Sequence, residues 1–263
     1  MRVCALASGS SGNCALVESE SAKILIDAGL STRQVRERLD RLGMKSNQID
    51  ALLITHEHID HTREAGLLAI SLDCPIYATE RTLPGFREYL SGHETIRSFS
   101  LGREFYIKDL QIHPFRVFHD AREPCGFLIR EAALFAEHAK SLGIATDLGT
   151  VTDQLTETLK DCDVLVLESN HDLDMLIQGD YPWHLKQRIR SEVGHLSNDA
   201  AGQAIATLAR RGRLTKVLLA HLSENNNRPH KALATVQGYL NGLTKKIELY
   251  VAPRDRLSRV IEF

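Results

Sequence analysis

The sequence predicts an α/β protein: one layered domain over residues 1–263, with sheets inside and helices outside. Three observations predict it. Short runs rich in Val, Ile and Leu alternate with segments of helical period, and several of those runs end on a His or an Asp. No Pro/Gly-rich linker, low-complexity tract or short repeat divides the chain, and a 43% hydrophobic fraction in 263 residues suffices for a sizeable core.

The predicted strands are 2–7, 13–18, 23–28, 50–55, 75–79, 110–118, 125–131, 141–147, 163–168, 215–220 and 246–251. Helical period appears at Val35, Leu39 and Leu42, between Thr62 and Leu72, and most clearly at Ala200, Ala201, Ala204, Ile205, Leu208 and Ala209, where Ser197 or Asn198 is the expected cap. Helices are also expected over 153–160, 182–192 and 229–241.

A formal net charge of −2 removes bulk cationic character, so any nucleic-acid contact must be local. Five cysteines with no Cys-x-x-Cys pair fit neither a disulfide framework nor a thiolate zinc site, and read as core thiols. The apolar start gives way to Ser8-Gly9-Ser10-Ser11-Gly12 before a secretory segment is complete, and no stretch reaches membrane-spanning length; the expectation is a soluble, cytoplasmic protein with no membrane partner.

Chemistry concentrates at His56-Glu57-His58-Ile59-Asp60-His61, directly after the apolar run Ala51-Leu52-Leu53-Ile54. A strand end followed by a tight loop can aim three imidazoles and a carboxylate inward, and these are donors that zinc, manganese or iron accept. The alternative is a polar loop in which histidines happen to cluster. Four neighbouring donors cannot complete two coordination shells, and His119, Asp147 and His221 each follow a further apolar run. Singly, each also reads as a satisfied turn or core residue; together they favour a metal site.

This pattern resembles the metallo-β-lactamase fold superfamily, whose His-x-His-x-Asp-His, His, Asp and His are matched at 56–61, 119, 147 and 221. The resemblance implies a four-layer αββα sandwich with the site at the sheet edges. It implies a first metal held by His56, His58 and His119, a second by Asp60, His61 and His221, and Asp147 bridging both. Two cations about 3.5–4 Å apart share and ionise a water, so the expected nucleophile is a bridging hydroxide, oriented by Asp60. Asn170, His171 and Asp172 follow the run Val164–Glu168 as candidates to fix imidazole tautomers; His171 reads equally as a turn residue.

A cysteine stands at the Asp147 position in zinc-Cys β-lactamases, so the aspartate points away from antibiotic hydrolysis. Gly194-His195-Leu196-Ser197-Asn198 resembles the extra histidine motif of RNase Z-like nucleases, making His195 the candidate general acid, against a helix-capping loop reading. With Ser8-Gly9-Ser10-Ser11-Gly12-Asn13, Glu168-Ser169-Asn170-His171-Asp172 and His221-Leu222-Ser223-Glu224-Asn225-Asn226, the set looks like the YycJ/WalJ-like branch, associated with exonuclease activity on DNA. Ser8, Ser11, Asn13, Asn170, His171 and Asn225 are then the candidate substrate contacts. Only 73 residues separate Asp147 from His221, too few for the inserted cap of β-CASP nucleases, and no long arm of the RNase Z kind is apparent, so structured RNA is not favoured.

Lys186, Arg188 and Arg190, and Arg210, Arg211, Arg213 and Lys216, are candidate phosphate contacts, although the second group also complements a helix C-terminus. Tyr181 and Trp183 are candidates to stack a base or to anchor a loop. The expected function is a two-metal phosphodiesterase acting as a DNA exonuclease. The competing readings are a small-molecule hydrolase of the glyoxalase II type, for whose C-terminal helical domain the 42 residues after His221 leave little room, and a metal-stabilised regulatory protein.

Overall fold

Successive side chains on a strand face opposite ways, and this chain uses that period to give each sheet two interfaces. A computed structural model describes residues 1–44, 48–132 and 139–263. One seven-stranded sheet runs in the order β14 (Ile261–Glu262), β1 (Arg2–Ala7), β2 (Cys14–Glu18), β3 (Lys23–Ile26), β4 (Ala51–Leu53), β5 (Ile76–Thr79) and β6 (Ile96–Phe99). The other runs β13 (Glu248–Val251), β12 (Lys216–Ala220), β11 (Val164–Glu168), β10 (Ser141–Ala145), β9 (Cys125–Glu131), β8 (Leu110–Arg116) and β7 (Phe105–Ile107).

Ile24, Ile26 and Leu53 from the first sheet meet Phe127, Ile129, Val164, Val166 and Leu218 from the second in one buried cluster. Their chain neighbours face outward. Leu25, Leu52 and Ile54 pack with Val35 and Leu39 of α1 (Thr32–Arg41) and Leu68 and Leu72 of α3 (Ala65–Leu72). Leu128, Leu165, Leu167, Val217 and Leu219 pack with Leu155 of α4 (Asp153–Leu159), Ile205 and Leu208 of α7 (Asn198–Arg211) and Val236 of α8 (Pro229–Leu240). Strands buried on both faces read as continuous apolar runs, and the four layers are α, β, β and α.

The parallel pairs β3/β4, β4/β5, β10/β11, β11/β12 and β12/β13 put the C-terminal ends of those strands on a shared edge. β8 joins them, because it is antiparallel to β9, which is antiparallel to β10. Local chemistry supports the helices: Ser31 and Gln34 form a reciprocal capping box on α1, and the Ser197 hydroxyl accepts from the Ala200 amide at 3.1 Å to open α7.

Several strands stop earlier than predicted. β3 ends at Ile26 rather than 28, β4 at Leu53 rather than 55, and β10 at Ala145 rather than 147. The cause in two cases is a left-handed residue, Asp27 at φ 66° and Asp147 at φ 57°, which leaves the ladder; His221 at φ 55° does the same after β12. β6, β7, β14, α2 (Ile59–Thr62) and α5 (Leu173–Gln178) were not among the predicted elements. Three of the four residues of β6 are exposed, so it lacks the apolar run that marks a strand. The predicted helix over 182–192 is the shorter α6 (Trp183–Ile189). No described helix is long and apolar enough to cross a membrane.

Candidate metal centre

Each predicted donor sits just beyond a strand end on the shared edge, and backbone amides flanking β2 and β3 hold the 56–61 loop there. After β4, residues 56–61 curl into α2, where the Thr62 hydroxyl donates to the His58 carbonyl at 3.0 Å. The Asn13 amide donates to the Asp60 carbonyl at 2.8 Å and the Ala28 amide to the His61 carbonyl at 2.7 Å. This seating requires a glycine at 29, since a Cβ there would lie 1.7 Å from the Asp60 carbonyl oxygen.

The imidazoles are oriented by acceptors, which fixes their tautomers. His61 donates from Nδ1 to Asp27 Oδ2 at 2.8 Å, and His119 from Nδ1 to the Gly194 carbonyl at 3.1 Å. His221 donates from Nδ1 to Glu168 Oε1 at 2.7 Å. The Thr55 hydroxyl gives its hydrogen to Asp27, so the His56 Nδ1 donates to Thr55 Oγ1 at 3.0 Å. All four rings therefore turn Nε2 inward, and His58 presents Nδ1, 3.2 Å from His119 Nε2. Burial opposes charge on His61 and His221, but the Asp147 carboxylate overrides it and raises both, so each must shed a proton before Nε2 can hold a cation.

Donor atoms of His56, His58 and His119 lie within 4.8 Å of one another, as do those of Asp60, His61 and His221. Asp147 forms a third such group with His56 and His61 and a fourth with Glu168, His195 and His221. Three inward atoms, His56 Nε2, Asp147 Oδ2 and His221 Nε2, are buried without a hydrogen-bond partner. A buried polar atom left unmatched is costly, and a cation that displaces the His221 proton would satisfy all three. Imidazole and carboxylate donors with no thiolate suit a divalent ion. The five cysteines are free, buried and outside these groups, and burial pushes the Cys74 and Cys162 thiols up to about 12.

Charge is distributed unevenly over the donors. Burial, reinforced by neighbouring imidazoles, holds His56 well below the usual imidazole range. Burial opposes charge on Asp147 too, but His221 and His61 outweigh it and keep the carboxyl ionised far below its ordinary range. His195 lies beside this cluster, its Nδ1 donating to Glu168 Oε1 at 2.8 Å and standing 3.9 Å from Asp147 Oδ1. Burial would neutralise His195, and the Glu168 carboxylate overrides it and raises the imidazole. Burial likewise opposes the Glu168 charge, but His195 and His221 pull that carboxyl down to about 2.

Other predicted residues fall in different places. Asn13 touches two donors, its Nδ2 lying 3.2 Å from Asp60 Oδ2 and 3.0 Å from His61 Nε2. Ser8 is buried and its Oγ accepts from the His221 amide at 2.8 Å. Asn170 donates from Nδ2 to the His221 carbonyl at 2.9 Å and also borders a cavity beside His195. His171 is wholly buried, with neither ring nitrogen hydrogen-bonded, and so meets no surface a substrate can reach. Ser11 and Asn225 are exposed, and Asn225 Nδ2 donates to the Tyr181 hydroxyl at 2.9 Å. Lys186 does not present its charge to solvent, because its amine donates to the Ile177 and Gly179 carbonyls at 2.7 and 2.6 Å. Lys216 opens β12 at the end opposite His221, which takes it and Arg213 away from the site.

Sequence reasoning assigned no role to Asp27 or Glu168, the carboxylates that orient three of the rings. Each ends an apolar run, Lys23-Ile24-Leu25-Ile26-Asp27 and Val164-Leu165-Val166-Leu167-Glu168, which was the available signal.

Two helix-covered sheets with clustered His and Asp donors at one edge define a metal-dependent hydrolase of metallo-β-lactamase fold. The chain belongs to the beta-lactamase superfamily, whose domain matches residues 22–221. Exodeoxyribonuclease YycJ of Bacillus anthracis is 36% identical over 237 residues, covering 89% of this chain and 87% of that protein. Exodeoxyribonuclease WalJ of Streptococcus pneumoniae serotype 2 is 38% identical over 227 residues, covering 84% and 81%. Among solved structures, the metallo-β-lactamase fold protein YhfI from Bacillus subtilis superposes with a TM-score of 0.74 at 16% identity, covering 100% of this chain and 99% of that one. Zn(2+)-bound PqqB from Methylobacterium extorquens superposes at 0.70 with 18% identity, covering 100% of each. At those identities the likeness is one of fold.

Proposed function

We propose that the chain is a two-metal phosphodiesterase that removes nucleotides from the ends of DNA strands. The observation that carries the phosphodiester reading is His195, tethered through Nδ1 to Glu168 beside the donor cluster with its ring half-open to a cavity. The DNA assignment rests on the relatives named exodeoxyribonuclease, which align over most of both chains.

His56, His58 and His119 would hold one divalent ion and Asp60, His61 and His221 a second, with Asp147 between them. Zinc, manganese or iron, when bound, supplies Lewis acidity for a phosphoryl oxygen and an ionised water. This chain's own residues do the rest. Asp60, held by Asn13, orients the attacking water. His195, kept charged by Glu168, donates a proton from Nε2 to the leaving oxygen.

The test is digestion of 5′-labelled and 3′-labelled single and double strands of DNA and of RNA by purified protein supplied with manganese or zinc. Release of nucleotides from DNA ends, lost in Asp147→Asn with the circular dichroism unchanged, is expected. No release with any metal, while a small ester is turned over, rejects the reading in favour of a small-molecule hydrolase.

A further inference from the structure

We propose that the cavity between α6 and the His195 loop is a pocket for one unpaired nucleobase, that of the terminal nucleotide; the inference rests on the DNA exonuclease reading of the same site. The cavity has a volume of about 170 Å³. That is below the roughly 300–1,000 Å³ of pockets for drug-sized ligands, so it admits one ring system and excludes a base pair or a continuing strand.

Its walls differ in chemistry. Leu185 and Ile189, four residues apart on one face of α6, form an apolar side, and Ser10, Ser223 and Asn170 form a polar one. A nucleobase has two apolar faces and an edge of mixed donors and acceptors. The two hydroxyls can each donate or accept, so the polar wall matches any of the four edges and no single one. That tolerance suits an enzyme that shortens a strand irrespective of sequence.

The pocket is preformed, because α6 is fastened at both sides. Lys186 ties it to the C-terminal carbonyls of α5, and Arg188 donates from Nε to Asp120 Oδ2 at 2.8 Å. Asp120 in turn brings the pocket to the metal cluster, its Oδ1 lying 3.4 Å from His119 Nε2, while His195 closes the other side. A base seated against Leu185 thus places its own phosphodiester next to the donor groups. Entry requires the terminal base to leave its stack and its partner, so frayed or mismatched ends are the better substrates.

Two measurements test this. The first is binding of a mononucleotide and of its sugar phosphate to the protein, followed by isothermal titration calorimetry. Deoxyadenosine monophosphate should bind at least about tenfold more tightly than deoxyribose 5-phosphate, a difference abolished in Leu185→Ser and retained in Leu67→Ser, a change at an exposed site on α3 outside the pocket. Equal affinity for the two probes overturns the proposal, as does a preserved difference in Leu185→Ser. In the second measurement, a strand ending in an abasic residue should lose its first nucleotide at least about tenfold more slowly than an ordinary strand. Equal rates overturn the pocket alone. If neither strand is digested, the exonuclease reading fails instead, and the binding measurement still decides the pocket.

Discussion

His195 and His221 donate from Nδ1 to the same oxygen, Oε1 of Glu168, at 2.8 and 2.7 Å. Glu168 Oε2 accepts from the Leu148 and Leu196 amides at 3.0 and 3.2 Å, so one fully buried carboxylate spans the loops after β10 and before α7. A metal donor and the candidate proton donor therefore share one support.

Glu168→Gln keeps the shape and removes the charge. The carboxylate raises His195, so without it the imidazole releases its proton at lower pH. Activity that needs the protonated ring is present below that pKa and lost above it, which moves the alkaline limb of the pH–rate profile to lower pH. The rate at neutral pH should fall by on the order of 10²-fold. An unshifted profile would show that His195 does not act as the acid.

Asp27→Asn addresses the other carboxylate support. Asp27 accepts from the Thr55 amide at 2.9 Å, from its hydroxyl and from His61 Nδ1, and it reaches His56 through Thr55. Removing the charge loosens two rings at once and should weaken metal affinity by about 10–100-fold, measured by competition with a chromogenic chelator. Unchanged affinity would mean that the donors hold their orientation unaided.

These two carboxylates mark the limit of what the sequence makes legible. The donors at 56–61, 119, 147 and 221 are visible because each stands where an apolar run stops and a polar residue has no place in the core. Glu168 and Asp27 follow runs of the same kind, but their roles depend on partners 53 residues and 34 residues away, and one-dimensional periodicity carries no such pairing. Lys186 reads as a cation for phosphate because its charge is legible, whereas the two carbonyls that capture it appear only when α5 and α6 meet. Sheets inside and helices outside were predictable from short apolar runs and period-3.6 patterning, and the four-layer order from the resemblance; short exposed strands such as β6 carry neither pattern.

Two glycines predict opposite outcomes for the same substitution. Gly29→Ala places a methyl 1.7 Å from the Asp60 carbonyl oxygen and 2.6 Å from the Asn13 nitrogen, so the loop holding the donors must shift. A loss of about 1–3 kcal/mol with weakened metal binding is expected. Gly238→Ala lies within α8, where a Cβ meets nothing within 4 Å, and should gain about 0.5–1 kcal/mol. Urea unfolding of both variants checks the pair; equal changes would contradict the packing argument.

The buried His171 makes stability depend on pH. Burial lowers its pKa from 6.5 to about 4. Between those values the unfolded chain binds a proton that the folded chain does not, so the folded state gains stability as pH rises through this window and loses it as pH falls. A separation of about 2.5 units corresponds to about 3 kcal/mol across the whole window. Neither ring nitrogen has a hydrogen-bond partner, so His171→Leu leaves no acceptor or donor of its own unmatched. Its unfolding free energy should therefore vary with pH less steeply than that of the parent chain between about pH 4 and 6.5, with both proteins stripped of metal so that the donor imidazoles titrate alike in each. Parallel curves for the two proteins would show that His171 takes up its proton without unfolding, through an opening of the loop that covers it.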